Sequence, residues 1–292
     1  MKKAILRFFL LISFSFFTLY MKAQNLVPNP SFEDTLNCPT DHSQINSTSN
    51  WFQPSNGTPD IYNSCSNDID ASAPLNFLGY QNARSGNAYS GIYVSSSNIG
   101  YGVNYREYIE VELLSALQLG ETYYVSFFVS LADSMQTTSD QIGAFFSADS
   151  LISNSWFNFS VVPQVENMIG DYISDKQSWV LVSGSYVALG GERFITIGNF
   201  RDSSSTSLFY AGPGGTSFLH ENGMVYFYID DVCVSKSEEA CINSLGLNSF
   251  GKAKRNIVCI LDLMGRKVSY KPNTIQIYIF DDGTTEKVFK VE

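Results

Sequence analysis

The run Thr122–Leu131 is built almost wholly of β-branched, aromatic and aliphatic residues. That composition suits an extended strand and offers no polar stripe at the 3.6-residue spacing of a surface helix. The same signal returns at 105–113, where apolar and polar residues alternate, and at 141–147, 179–188, 194–200 and 224–234. Leu119-Gly120-Glu121 predicts a turn between the strands 105–113 and 122–131, and Gly190-Gly191 predicts a hairpin turn. Residues 24–104 are rich in Asn, Ser, Pro and Gly, with short apolar islands at Leu26-Val27, Trp51-Phe52 and 89–94. They read as long loops joined by short strands. The expected fold class is all-β, a β-sandwich of jelly-roll type.

The two ends differ from this middle. Met1-Lys2-Lys3 precedes an apolar run, and Met21-Lys22-Ala23 follows it, the pattern of a signal peptide over 1–23 cleaved after Ala23. Its apolar part, 8–20, is too short to span a bilayer, which takes about 20 residues. Residues 24–236 are expected to form the main domain and 237–255 a polar linker. Residues 256–292 form a small separate β unit, with strands at 256–263, 275–280 and 287–291.

Charge marks the same boundary. Residues 24–250 hold six Lys and Arg against 23 Asp and Glu, a net of −17, whereas the tail from 251 carries +3. So acidic a domain repels phosphate backbones, which excludes nucleic acid as its partner and leaves neutral or cationic ligands and divalent cations. Hydrophobic residues make up 44% and aromatics 14% of the chain, too apolar for disorder. Of the five cysteines, Cys38 is expected to pair with Cys65 and Cys233 with Cys241 in an oxidising compartment, although four cysteines allow three connectivities. Cys259 is left over, and no C-x-x-C spacing marks a zinc site.

Two segments carry resemblances. The stretch 25–33, Asn-Leu-Val-Pro-Asn-Pro-Ser-Phe-Glu, and Tyr228-Ile229-Asp230-Asp231-Val232 resemble the first and last strands of galactose-binding-like jelly rolls, the fold of many carbohydrate-binding modules. Residues 179–186 followed by 195–200 are similar to the paired inner strands of those modules. In the tail, Ile260-Leu261-Asp262-Leu263-Met264-Gly265-Arg266-Lys267, then Ile277-Tyr278-Ile279 and 286–290, resemble the type A sorting domain of type IX secretion substrates. The usual Pro-Asn-Pro opening is missing before Asn256. The second resemblance implies that the outer-membrane translocon reads the tail as an address, and that the protein is secreted or held on the outer cell surface.

The first resemblance implies a structural calcium ion held by carboxylates near the first and last strands, here Glu33 and Asp231, with Asp230 as the alternate. Calcium takes six to eight oxygen ligands, so two carboxylates with loop carbonyls are a start. It also implies glycan binding. A sugar is met by flat aromatic rings and planar hydrogen-bonding side chains, and the loop-rich segment supplies Trp51, Tyr80, Gln81, Asn82, Arg84 and Tyr89. Arg84, one of so few cations in the domain, is either buried against a carboxylate or aimed at a ligand. Trp179, flanked by Val180 and Val182, reads as core. His42 and His220 are the only histidines, neither has sequence neighbours that mark a metal cluster, and no G-x-S-x-G elbow is present. The expected function is therefore non-catalytic glycan binding at or outside the cell surface. The alternatives are an adhesive or structural protein that binds a protein or envelope partner, and, further off, a glycoside hydrolase.

Overall fold

The computed structural model describes residues 24–96, 102–214, 223–244, 257–262, 264–271, 273–280 and 285–289. The expected signal peptide lies outside them. In chain order the strands are β1 (Trp51–Phe52), β2 (Asp60–Asn63), β3 (Leu75–Asn76), β4 (Gly79–Tyr80), β5 (Ala88–Ser95), β6 (Ile109–Glu112) and β7 (Thr122–Leu131). There follow β8 (Thr137–Ser139), β9 (Gly143–Ser147), β10 (Val165–Glu166), β11 (Val180–Val187), β12 (Phe194–Gly198), β13 (Leu208–Tyr210) and β14 (Val225–Ser235). After helix α1 (Glu238–Ser244) come β15 (Ile257–Leu261), β16 (Ile275–Phe280) and β17 (Thr285–Phe289).

Two five-stranded antiparallel sheets, ordered β1-β6-β12-β9-β10 and β11-β7-β14-β5-β2, make a β-sandwich. Alternation along each strand sends one set of side chains inward. Val125, Phe127, Val129 and Leu131 of β7, Phe227 and Ile229 of β14 and Ile92 and Val94 of β5 share one buried cluster with Ile109, Val111, Ile195, Ile197 and Phe146 of the other sheet. The N-terminal segment lies along the last strand, with the Leu26 N–H donating to the Val234 carbonyl at 2.7 Å and the Val232 N–H to the Pro30 carbonyl at 2.9 Å.

Two expected turns have a different role. Neither 119–121 nor Gly190-Gly191 closes a hairpin, because β6 and β12 belong to one sheet and β7 and β11 to the other. Both are corners at which the chain changes sheet, and they hydrogen-bond to each other, Gly120 N–H to the Ala188 carbonyl and Gly191 N–H to that of Leu117. Gly190 has φ +91°, and a Cβ there would meet Leu119 Cβ at 2.9 Å, so the contact between the corners requires glycine. For the same reason β11 and β12 are not a paired couple: β11 is an edge strand on β7, and β12 lies between β6 and β9.

The chain divides into two compact units, Met1–Cys241 and Ile242–Glu292. The second is the three-stranded antiparallel sheet β15-β16-β17. Among the described residues no helix is long and apolar enough to cross a membrane.

Disulfides join Cys38 to Cys65 and Cys233 to Cys241, and Cys259 is unpaired. The first closes a separation of 27 residues and the second one of 8. On loop-closure entropy alone, serine replacement of the first pair lowers the unfolding free energy by about 3–4 kcal/mol and of the second by about 2–3 kcal/mol. Denaturant unfolding of the two double variants checks both the values and their order.

Candidate functional site

Most of the residues singled out from the sequence converge on the outer face of the sheet β11-β7-β14-β5-β2. Register places Asp60 and Tyr62 of β2 beside Gly91 and Tyr89 of β5, and Tyr226 and Tyr228 of β14 beside Tyr93 and Gly91. The rings interlock edge to face. Tyr89 and Tyr228 are 5.1 Å apart between centroids, Tyr62 and Tyr228 5.5 Å, and Tyr93 and Tyr226 4.7 Å. Gly91 makes room for this layer, since a Cβ there would lie 2.1 Å from the Tyr226 hydroxyl.

The hydroxyls of Tyr62, Tyr89, Tyr226 and Tyr228 are engaged. Tyr228 donates to Asn76 Oδ1 at 2.8 Å, Asn76 Nδ2 donates to the Tyr89 hydroxyl at 2.9 Å, and Tyr226 donates to Asp60 Oδ2. Asp60 also accepts the Ser43 N–H. Glu107 accepts the Tyr105 hydroxyl at 2.5 Å and the Tyr93 N–H at 2.8 Å. Both carboxyls are buried. Desolvation pushes Asp60 up to about 6 and Glu107 up to about 7, with the Asp60 charge adding to the rise at Glu107.

Residues 80–88 cross over this layer and are fastened at both ends of the crossing. Arg84 forms an ion pair with Asp231, its guanidinium 3.5 Å from the centre of the Phe128 ring. Asp231 lies at a bulge in β14 with φ +52°, and its other oxygen accepts the hydroxyls of Ser31 and Ser85, each at 2.6 Å. Asp230 Oδ2 accepts the Arg84 N–H at 2.8 Å and its Oδ1 the Asp231 N–H at 2.7 Å. Burial, then the charge of Asp231, push the Asp230 carboxyl up. Glu33 accepts the N–H groups of Asn87 and Ala88 at 2.7 and 2.9 Å.

This set does not fit a calcium ion. The Asp230 and Asp231 oxygens already face protein donors, Glu33 is turned to backbone amides, and the compensating positive charge is the Arg84 guanidinium. Of the two roles open to Arg84, the structure shows burial against a carboxylate, its side chain 13% exposed.

The expected sugar-contacting residues separate into two groups. Trp51, Gln81 and Tyr89 are buried. Trp51 packs on Phe32 at 4.9 Å, and its indole N–H donates to the Asn29 carbonyl at 2.8 Å, so it has no free face to offer a ligand. Tyr80 is 53% exposed, and Asn82 is exposed with it. Trp179 is half-buried rather than core. Its edge meets Tyr89, and its indole N–H donates to the Asn82 carbonyl at 3.0 Å. Asp133 pins this rim from below, accepting the Tyr80 N–H at 2.8 Å on its carboxylate and Lys176 Nζ at 3.0 Å on its carbonyl. The roles of Lys176 and Asp133 at this rim depend on the hairpin β3–β4 folding against the turn after β7, which local sequence does not state.

No protein-family model matches the chain, and no curated protein matches it. Among solved structures it is similar to the K1 cleaved adhesin domain of Lys-gingipain from Porphyromonas gingivalis W83, at 16% identity over 70% of this chain and 94% of that one, with a TM-score of 0.33. It is also similar to the CBM22-1 xylan-binding domain of Xyn10C from Paenibacillus barcinonensis, at 10% identity over 69% and 95%, with a TM-score of 0.34. Overlaps this loose carry no weight beside the geometry of the chain itself.

Two outcomes follow from the buried charges. Asp60 and Glu107 hold their protons more tightly folded than unfolded, so the stability linked to them is complete below about pH 4 and is lost as pH rises through 6 and 7. Asp60→Asn flattens this slope in pH-dependent melting. Arg84→Met leaves Asp231 buried without its cation and costs about 3–5 kcal/mol, and Asp231→Asn in the same chain restores part of the loss, both read by denaturant unfolding.

Proposed function

We propose that this protein is a non-catalytic binding protein that works outside the cell and takes a neutral glycan on the rim formed by Tyr80, Asn82 and Trp179. The observation that carries the reading is the exposed Tyr80, its backbone N–H fixed by Asp133, two residues before the exposed Asn82, whose carbonyl accepts the Trp179 indole N–H. Such a set offers an apolar face to a pyranose and hydrogen bonds to its hydroxyl edge. Catalysis has no support in the same region. The carboxyls whose proton affinities burial raises, Asp60, Glu107 and Asp230, are all enclosed by the protein, away from any substrate.

The two disulfides support an oxidising compartment. With the N-terminal signal pattern and the C-terminal segment read as a sorting address for type IX secretion, they favour delivery to the outer surface or the medium. A second reading, an adhesive protein with a protein or envelope partner, draws on β13. There Leu208, Phe209 and Tyr210 are all exposed, and Tyr172 packs on Phe209 at 5.1 Å.

Glycan-array screening followed by calorimetry tests the first reading. Tyr80→Ala and Asn82→Ala are each expected to weaken binding about tenfold or more, worth about 1–2 kcal/mol, with melting unchanged. Glycan binding that survives both changes overturns the assignment of the rim. Binding to cells but to no glycan, lost in Phe209→Ser, moves the function to β13.

A further inference from the structure

The Cys38–Cys65 disulfide ties together two loops that have no part in the glycan rim. One carries Asp41 and His42, adjacent in the chain; the other carries Asp70. In the folded protein one ligand atom from each of the three lies within 4.8 Å of the other two. His42 Nδ1 is 2.6 Å from Asp41 Oδ1, and both side chains are 57% exposed.

The backbone beneath them is fixed. The Ser43 N–H is held by the buried Asp60 carboxyl, the Asp70 N–H by Asp68 Oδ1 at 3.1 Å, and the Ala71 carbonyl by the Asn63 N–H at 3.0 Å. The His42 ring lies 6.1 Å from that of Phe77. The backbone is therefore held in place, while Asp41 and His42, paired with each other, are exposed and Asp70 is half-buried beside them.

We propose that Asp41, His42 and Asp70 form a site for a first-row divalent cation, zinc above all. One imidazole nitrogen and two carboxylate oxygens are a borderline-hard donor set that suits zinc, whereas calcium and magnesium take oxygen alone. Tetrahedral zinc, with bonds of about 2.0–2.1 Å, sets its ligand atoms about 3.3 Å apart. The His42 and Asp41 atoms must open slightly to reach that spacing, which side chains this exposed can do. Three protein ligands leave the fourth position to water. The disulfide bears on affinity because it brings Asp70 to His42 before any ion arrives, and the net charge of −17 on residues 24–250 draws cations toward the domain. The site is independent of glycan binding.

The test is calorimetric titration of zinc into tag-free, chelator-treated full chain with its disulfides intact and magnesium in excess. The expected result is saturable binding of one ion per chain, weakened about tenfold or more by His42→Ala and by Asp70→Asn, with apo-protein melting unchanged in either variant. Cobalt(II) in place of zinc is expected to give a visible ligand-field band that His42→Ala removes. Zinc bound no better than magnesium, or bound equally well by His42→Ala, overturns the site. The second of these results would point to diffuse binding by surface carboxylates or to His220, which lies outside the described residues.

Discussion

The ion pair between Arg84 and Asp231 joins parts of the chain that are far apart in sequence. Asp231 stands at a bulge in β14, the central strand of its sheet, and Arg84 lies in the segment that crosses the sheet's outer face. The pair, with the Arg84 N–H on Asp230, fixes residues 80–88 to the outer face of the sheet, where the tyrosines are buried and Tyr80 and Asn82 are exposed. An isolated charge of either sign in that position would be costly to bury. Together the two charges make the crossing a fixed part of the domain. The site is thus the outer surface of a covering segment, and the sheet face under it is filled by the protein's own side chains.

That filling shapes the energetics of the domain. Tyr62, Tyr89, Tyr226 and Tyr228 satisfy one another through Asn76 and Asp60, so a layer with many polar atoms is buried with its hydroxyls engaged. Desolvation raises all four phenols and keeps them neutral. The cost falls on Asp60 and Glu107, the two acids enclosed with them. A layer of this kind resists repacking, because removing one hydroxyl leaves its partner without a mate in a region that water does not enter.

Local composition was enough to read the strands but not their company. Thr122–Leu131 matches β7 residue for residue, because a strand buried along most of its length needs apolar and β-branched side chains throughout. The disulfide pairing expected for an oxidising compartment, one of three connectivities open to four cysteines, is the pairing found. Gly190-Gly191 looked like a hairpin because two glycines between strands fit one; which sheet each neighbouring strand joins is a non-local fact. Trp51 looked like a platform because it sits among polar loop residues, yet a bond to the Asn29 carbonyl and a stack on Phe32 hold it inside. Trp179 misled in the other direction, since alternating valines mark a strand without saying that the residue just before it is half exposed. Asp41, His42 and Asp70 could not have been assembled from the chain, because the third member arrives only through the loop that Cys65 anchors.

One contact in the fold has a consequence for how the domain can be used. Leu26 bonds to Val234, and Asn25 Nδ2 donates to the Val232 carbonyl at 2.9 Å, so the chain enters and leaves the sandwich side by side. A domain whose ends are neighbours can be spliced into a loop of another protein, or strung in series with copies of itself, without opening its sheets. It is a self-contained cassette, tied at the neck by the N-terminal segment and the Cys233–Cys241 bridge, and what lies on either side of the knot can change while the sandwich stays the same.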